Sequence, residues 1–309
     1  MPALHVEHVT KRYARVVAVD GVSLTAEPGR IFGLLGPNGA GKTSTIRMIA
    51  AITAPDEGRI RFGDMPVGPA TQQRMGYLPE ERGLYRKLRV GEQLVYLARL
   101  KGLSARAAEA ATRRWLERFD ATGWYGNRVE ELSKGMQQKV QFLTTVLHDP
   151  DLLIFDEPFS GLDPLNAELL HSVITEQRAA GRTVLFASHR MEQVEQLCDD
   201  LCLIAHGRVI LAGPLREVKA RYGRDTVALD FEGGITWLDA LEAEGAVKVV
   251  VRSAGHATVR LNEGTPPRRV LEAALAGARE VVRFEVEEPP LSEIFVQAVE
   301  QAGAERAAA

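Results

Sequence analysis

Gly36-Pro37-Asn38-Gly39-Ala40-Gly41-Lys42-Thr43, preceded by the apolar run Ile31-Phe32-Gly33-Leu34-Leu35, decides how this chain folds. It fits G-x-x-x-x-G-K-[ST], in which a buried strand gives way to a glycine-rich turn and then to a helix, here opening near Thr43. Glycines let successive backbone N–H groups converge on phosphate oxygens where a Cβ would obstruct them, and the helix N-terminus adds partial positive charge. The pattern predicts a phosphate cradle formed by Gly36, Asn38, Gly39, Ala40, Gly41, Lys42, Thr43 and Ser44. Lys42 is expected to neutralise the terminal phosphates of a nucleoside triphosphate, and the Thr43 hydroxyl to ligate Mg²⁺.

Downstream, Leu152-Leu153-Ile154-Phe155-Asp156-Glu157-Pro158 reads as an apolar strand ending in paired acids. An acid at the strand tip is placed to hold Mg²⁺, which assigns Asp156 to the metal. Glu157, one residue on, is placed to act as general base on an attacking water. The runs Thr183–Phe186 and Leu201–Ile204 are equally apolar and short. Such runs belong to strands buried on both faces, and so to a parallel α/β sheet.

Around this core, residues 3–35 read as β-rich, and Ala54-Pro55-Asp56-Glu57-Gly58 as a turn into the strand Arg59–Phe62. Periodic apolar spacing predicts helices near 90–101, 104–119 and 134–148. The character changes near Gly223, where the order strand (226–232), helix (235–244), strand pair (246–262), helix (266–277), strand (280–287) and helix (291–301) suggests a small ferredoxin-like α+β unit. The expected division is 1–222 and 223–302, with a disordered tail at 303–309.

At 309 residues the chain has room for two domains. A net charge of −3 argues against nucleic acid as a partner, since that requires a basic excess. The two cysteines, Cys198 and Cys202, have no matching Cys or His pair, which leaves reduced core thiols as the reading and suits a cytosolic compartment. No apolar run reaches eighteen residues and the N-terminus lacks a signal-peptide pattern, so any membrane involvement is expected to come through another polypeptide.

Leu132-Ser133-Lys134-Gly135-Met136-Gln137-Gln138, directly before an amphipathic helix, resembles the LSGGQ signature of the ATP-binding subunits of ABC transporters. Ser133 and Gly135 match, whereas Lys134 replaces a glycine and Met136 the glutamine. A serine hydroxyl and free N–H groups at a helix start make an anion site in any case. Further matches follow in the family's order. Ser160-Gly161-Leu162-Asp163 resembles the D-loop at the dimer seam, His189 matches the switch histidine that contacts the γ-phosphate, and Tyr13 the aromatic that stacks on adenine. Gly76-Tyr77-Leu78-Pro79-Glu80 stands where the family usually has its Q-loop glutamine, and Glu80 would offer Mg²⁺ a charged oxygen in place of an amide. The Glu variant, the altered signature and the small C-terminal domain are similar to the subgroup serving exporter-type (ABC-2) permeases, among them sodium-export and drug-resistance ATPases.

The resemblance, over residues 3 to about 220, implies a P-loop ABC ATPase core with a β-rich part and a helical subdomain. It implies two ATPase subunits closing head to tail on two ATP molecules, with Lys42 of one subunit and Ser133 of the other on each, and both halves of the site are present here, which permits a homodimer. Hydrolysis through Glu157 would reopen the dimer and drive a separate transmembrane permease on the inner face of the cell membrane. The rival reading is a soluble ABC ATPase of translation or DNA repair. Against it, the chain carries one cassette, and only 53 residues separate Glu80 from Ser133, too few for a long coiled-coil insertion. A P-loop kinase or GTPase is excluded by Ser133 and His189 and by the lack of an Asn-Lys-x-Asp motif.

Overall fold

The chain opens as an antiparallel hairpin, β1 (Leu4–Tyr13) and β2 (Val16–Ala26), with Val22, Leu24 and Ala26 alternating inward along β2. The computed structural model describes residues 1–81, 83–223 and 225–308, without the side chains of 304–308. After the hairpin come β3 (Ile31–Leu35), α1 (Lys42–Ile49), β4 (Glu57–Phe62), β5 (Met65–Pro66), α2 (Pro69–Gln72) and β6 (Met75–Leu78). Strands β4 and β5 complete a four-stranded sheet in the order β2-β1-β4-β5. The helices α3 (Val90–Leu100), α4 (Ala105–Arg118) and α5 (Lys134–Val146) follow, each within two residues of its predicted bounds.

A second, six-stranded sheet takes β3 and β6 together with β7 (Leu152–Asp156), β8 (Thr183–Ala187), β9 (Asp200–Ala205) and β10 (Arg208–Pro214), in the order β10-β9-β3-β8-β7-β6. Helix α6 (Pro164–Ala179) joins β7 to β8, and α7 (Met191–Leu197) joins β8 to β9. The five strands from β9 to β6 run parallel, and β3, β7 and β8 are buried along their whole length, as their unbroken apolar sequences require. The edge strand β10 is antiparallel and was not evident from composition. Its hairpin turns on His206 (φ 51°) and Gly207 (φ 78°), a two-residue loop with both φ positive that matches the twist of the flanking strands.

Helix α1 is held between the two sheets. Its Ile46, Met48 and Ile49 share one core with Leu4, Val6 and Phe62 of the first sheet and Leu34, Ile154 and Leu185 of the second. The helical region is tied to the large sheet by stacked rings: Phe119 lies 5.9 Å from Phe142 of α5, which stacks at 5.4 Å on Phe155, the residue before Asp156. Both cysteines are buried free thiols. Burial pushes the Cys202 thiol up to about 12 and Cys198 well above its ordinary value. A Cβ on Gly33 would sit 2.9 Å from the Cys198 sulfur, so the glycine lets the chain after α7 press against β3.

The chain divides into two compact units, Met1–Leu215 and Arg216–Ala309, a boundary slightly earlier than the expected change at Gly223. Helix α8 spans Leu215–Arg221. Beyond it lie β11 (Thr226–Glu232), α9 (Thr236–Ala243), β12 (Val247–Ser253), β13 (His256–Leu261), α10 (Pro267–Gly277), β14 (Glu280–Glu287) and α11 (Leu291–Ala308). The four strands form an antiparallel sheet in the order β12-β13-β11-β14, the second-third-first-fourth arrangement of a ferredoxin-like unit. Val227, Leu229 and Phe231 face a core closed by Trp237, Leu238, Val270 and Ala274 of α9 and α10. The last helix runs through Ala308, past the expected end at 301, because the Ala, Gln, Glu and Arg of this stretch are good helix formers. Ala309 of the expected disordered tail lies outside the described residues. Among the described residues, no helix is long and apolar enough to cross a membrane.

Candidate functional site

Packing fixes the glycines of the Gly36–Thr43 loop as firmly as any ligand could. Gly36, Gly39 and Gly41 have φ of 149°, 77° and 111°. A Cβ on Gly36 would fall 2.1 Å from the Ile204 carbonyl oxygen, and one on Gly41 2.5 Å from that of Ala18. Ala40 is buried and its carbonyl accepts from Gly207 N at 2.9 Å, whereas Asn38 and Gly39 stand exposed and Ser44 half-buried in the first turn of α1. Gly41 caps α1 without any side-chain bond, so the helix's first N–H groups have no capping partner. That is an anion-binding terminus. Tyr13, 42% exposed, ends β1 and pairs with Val16 on β2, the strand that packs against Gly41.

Lys42 is buried, and its Nζ donates to the Gly36 carbonyl at 2.6 Å and the Pro37 carbonyl at 3.2 Å. Burial pushes its pKa down, against the pull of Glu157, Asp156 and Glu80. Asp156 ends β7 almost fully buried. Burial, reinforced by Glu80 and Glu157, raises its pKa to about 6, while Lys42 and Arg47 oppose the rise. Its Oδ2 is buried with no hydrogen-bond partner, a costly state for a carboxylate oxygen.

Thr43, Glu80 and Asp156 line one cavity of about 580 Å³, together with Arg47, Tyr77 and Gln141. A hydroxyl and two carboxylates are hard oxygen donors, the kind Mg²⁺ takes, and Mg²⁺ normally completes its shell with phosphate oxygens and water. The orphaned Asp156 oxygen and this donor set fit that ion. Among the described residues no group of three or more His, Cys, Asp or Glu could hold a metal ion.

Glu157 is the turn residue after β7 and, with φ 52°, occupies the left-handed region without being a glycine. Such a backbone costs about 1–3 kcal/mol and persists only where its surroundings enforce it. Here its N–H donates to Ala187 O at 2.9 Å, its Oε1 accepts from the His189 N–H at 2.7 Å, and Oε1 also lies 2.6 Å from His189 Nδ1. Ser188 Oγ is 3.1 Å from Glu157 Oε2 and 3.0 Å from Gln193 Oε1, and its single hydrogen serves one of them at a time. With a carboxylate on Nδ1, His189 donates from that nitrogen and turns Nε2 outward. The His189 side chain is 59% exposed and reaches beyond the buried carboxylate.

Ser133 and Gly135 are not part of this cavity. Ser133 caps α5, its hydroxyl accepting from Met136 N at 3.3 Å, about 12 Å along the helix from Gln141. Asp163 caps α6 in the same manner, accepting from Asn166 N at 3.0 Å, which lowers its pKa. Both stand exposed. Sequence reading missed Ser188, Arg47 and Gln141. The first sits beside His189 and was findable, whereas the other two act through contacts that no local pattern encodes.

The ABC transporter family profile matches residues 19–160, and that of the C-terminal domain of DrrA1-3-like ATP-binding proteins matches 213–299. The chain is 44% identical to the ABC transporter ATP-binding protein YhaQ of Bacillus subtilis over 296 residues, 96% of this chain and 98% of the relative. It is 31% identical to the linearmycin resistance ATP-binding protein LnrL of the same organism, over 95% of this chain and 97% of that one. A solved ATP-binding subunit of an ABC transporter superposes with a TM-score of 0.67 at 32% identity, covering 78% of this chain and 98% of that one.

Proposed function

The chain belongs to the ATP-binding subunits of ABC transporters, and from that premise we propose how its residues divide the work of an exporter ATPase. The protein is an ATPase coupled to transport through a transmembrane component. The whole-length likeness to a resistance protein supports outward transport, through a permease on whose inner face this subunit docks. The alternative of a role in translation or repair has no support among these relatives.

In the proposed site the Gly36–Thr43 loop and Lys42 hold the ATP phosphates, with Tyr13 against the adenine. Thr43, Asp156 and Glu80 hold Mg²⁺, which supplies charge neutralisation on the phosphates. Glu157, aimed by His189 and Ser188, draws a proton from the attacking water, and His189 presents Nε2 toward the γ-phosphate. Ser133 and Asp163, exposed at helix caps outside the cavity, and half-buried Gly135 in the first turn of α5 complete the site from a second copy. The observation that carries this reading is the convergence of Thr43, Glu80 and the unpartnered Asp156 oxygen on one cavity beside Lys42.

The test is Mg²⁺-dependent ATP hydrolysis by the purified chain, alone and reconstituted with its transmembrane partner. Hydrolysis lost in Lys42→Ala and stimulated by that partner is expected. Hydrolysis indifferent to Lys42 would refute the assignment.

A further inference from the structure

Gln141 sits in the middle of α5, only 3% exposed, where a polar side chain must find partners or carry a desolvation cost. Its Nε2 donates twice, to the Pro79 carbonyl and to the Glu81 carbonyl, both at 3.1 Å. These are the carbonyls of the residues immediately before and after Glu80. Two acceptors on one side fix the amide's orientation, since the flipped form would set oxygen against oxygen. Its Oε1 is left buried without a partner, so the arrangement retains an unsatisfied acceptor that a leucine or methionine here would avoid. Meanwhile Glu80 is exposed, and among the described residues no side chain bonds its carboxylate. Its aim into the cavity therefore depends on its backbone.

We propose that Gln141 is the positioning residue of Glu80: its amide clamps the backbone on both sides of that carboxylate and ties it to the helix that begins at Ser133. The same helix reaches the other side of the site. Gln138, one turn earlier, donates to the Pro158 carbonyl at 3.3 Å, directly after Glu157. One helix thus grips the segment carrying the proposed third metal oxygen and the turn carrying the proposed base. Movement of α5 would shift Glu80 and Glu157 together. The inference deepens the proposed function and rests on Glu80 being a metal ligand.

Gln141→Met keeps side-chain length and helix-forming tendency but removes both donors. Gln141→Asn keeps the amide one methylene short of the carbonyls and carries the test should the first variant unfold. In both, the Mg²⁺ concentration giving half-maximal ATP turnover should rise about tenfold, the usual scale for losing an outer-shell partner. ATP affinity measured in EDTA should stay unchanged. In a Glu80→Ala background, Gln141→Met should add nothing, because the ligand it positions has gone. A purely structural role would instead lower affinity with and without Mg²⁺ and add its full effect in that background, which would overturn the proposal. If Glu80→Ala alone leaves the Mg²⁺ requirement unmoved, the reading of Glu80 as a ligand falls and this inference with it. If Glu80→Ala shifts it and the Gln141 variants do not, this inference alone falls.

Discussion

Glu157 and His189 touch twice: one carboxylate oxygen accepts the histidine's backbone N–H at 2.7 Å and lies 2.6 Å from its imidazole Nδ1. The loop after β8 therefore sets both where the carboxylate points and which tautomer the imidazole adopts. A carboxylate on a strained turn (φ 52°) is held in one direction by the strand beside it.

Glu157→Gln preserves size and can still accept from the His189 N–H, but it cannot take a proton. Turnover should fall by about 10²–10⁴-fold while Mg-ATP binding survives. In the proposed cycle two copies close on ATP before hydrolysis, so the variant should elute as a persistent dimer in Mg-ATP on size-exclusion chromatography. Near wild-type hydrolysis by this variant would remove Glu157 from its role.

Ser133 and Lys42 can be separated by mixing. Ser133→Arg and Lys42→Ala should each abolish turnover alone. Heterodimers of the two have one doubly damaged site and one intact site, so partial activity should return in proportion to heterodimer formed. Heterodimers confirmed by mass and silent at every mixing ratio would show that the site is not shared.

Two buried groups make stability depend on pH in opposite senses. Asp156, raised from 3.8 to about 6, keeps its proton in the folded chain, so metal-free stability declines as pH rises through that window. His148, lowered by burial from 6.5 to about 4, stays neutral when folded, so stability declines as pH falls from 6.5 toward 4. Each shift corresponds to up to about 3 kcal/mol. In EDTA, Asp156→Asn should be more stable than wild type at pH 7 and converge with it near pH 4. His148→Gln should lose the acid-side decline. Urea unfolding between pH 4 and 7 reads both, and a variant profile parallel to wild type would discount the group concerned.

Gly36→Ala places a Cβ against the Ile204 carbonyl at a positive φ. It should destabilise the chain by more than about 1 kcal/mol and weaken nucleotide binding with or without Mg²⁺. A thermal melt and a nucleotide titration check this. Unchanged values would mean that the loop can move aside.

The features visible in sequence were those that a few neighbouring residues dictate. The loop at Gly36–Thr43 declares itself because only glycines permit its backbone, and the buried strands because unbroken apolar runs have no other place. Strand β10 was hidden because its turn, His206-Gly207, uses a histidine at positive φ in place of the usual Asn or Asp. Gln141 was hidden because its partners lie about 60 residues earlier, so only the folded helix reveals what its amide reaches. Ser133 and Asp163 carried a legible motif but no legible location, since both stand exposed at helix caps outside the cavity that Thr43 and Asp156 line.

The buried thiols give the molecule a practical property: it should be inert to maleimides and other thiol reagents while folded. Cys198 and Cys202 are its only cysteines, and both are kept protonated and out of reach. A cysteine introduced at Leu165, 77% exposed beside Asp163, would then be the sole site of labelling. The native chain is thus ready for single-dye fluorescence reporting of subunit approach, with no background to remove first.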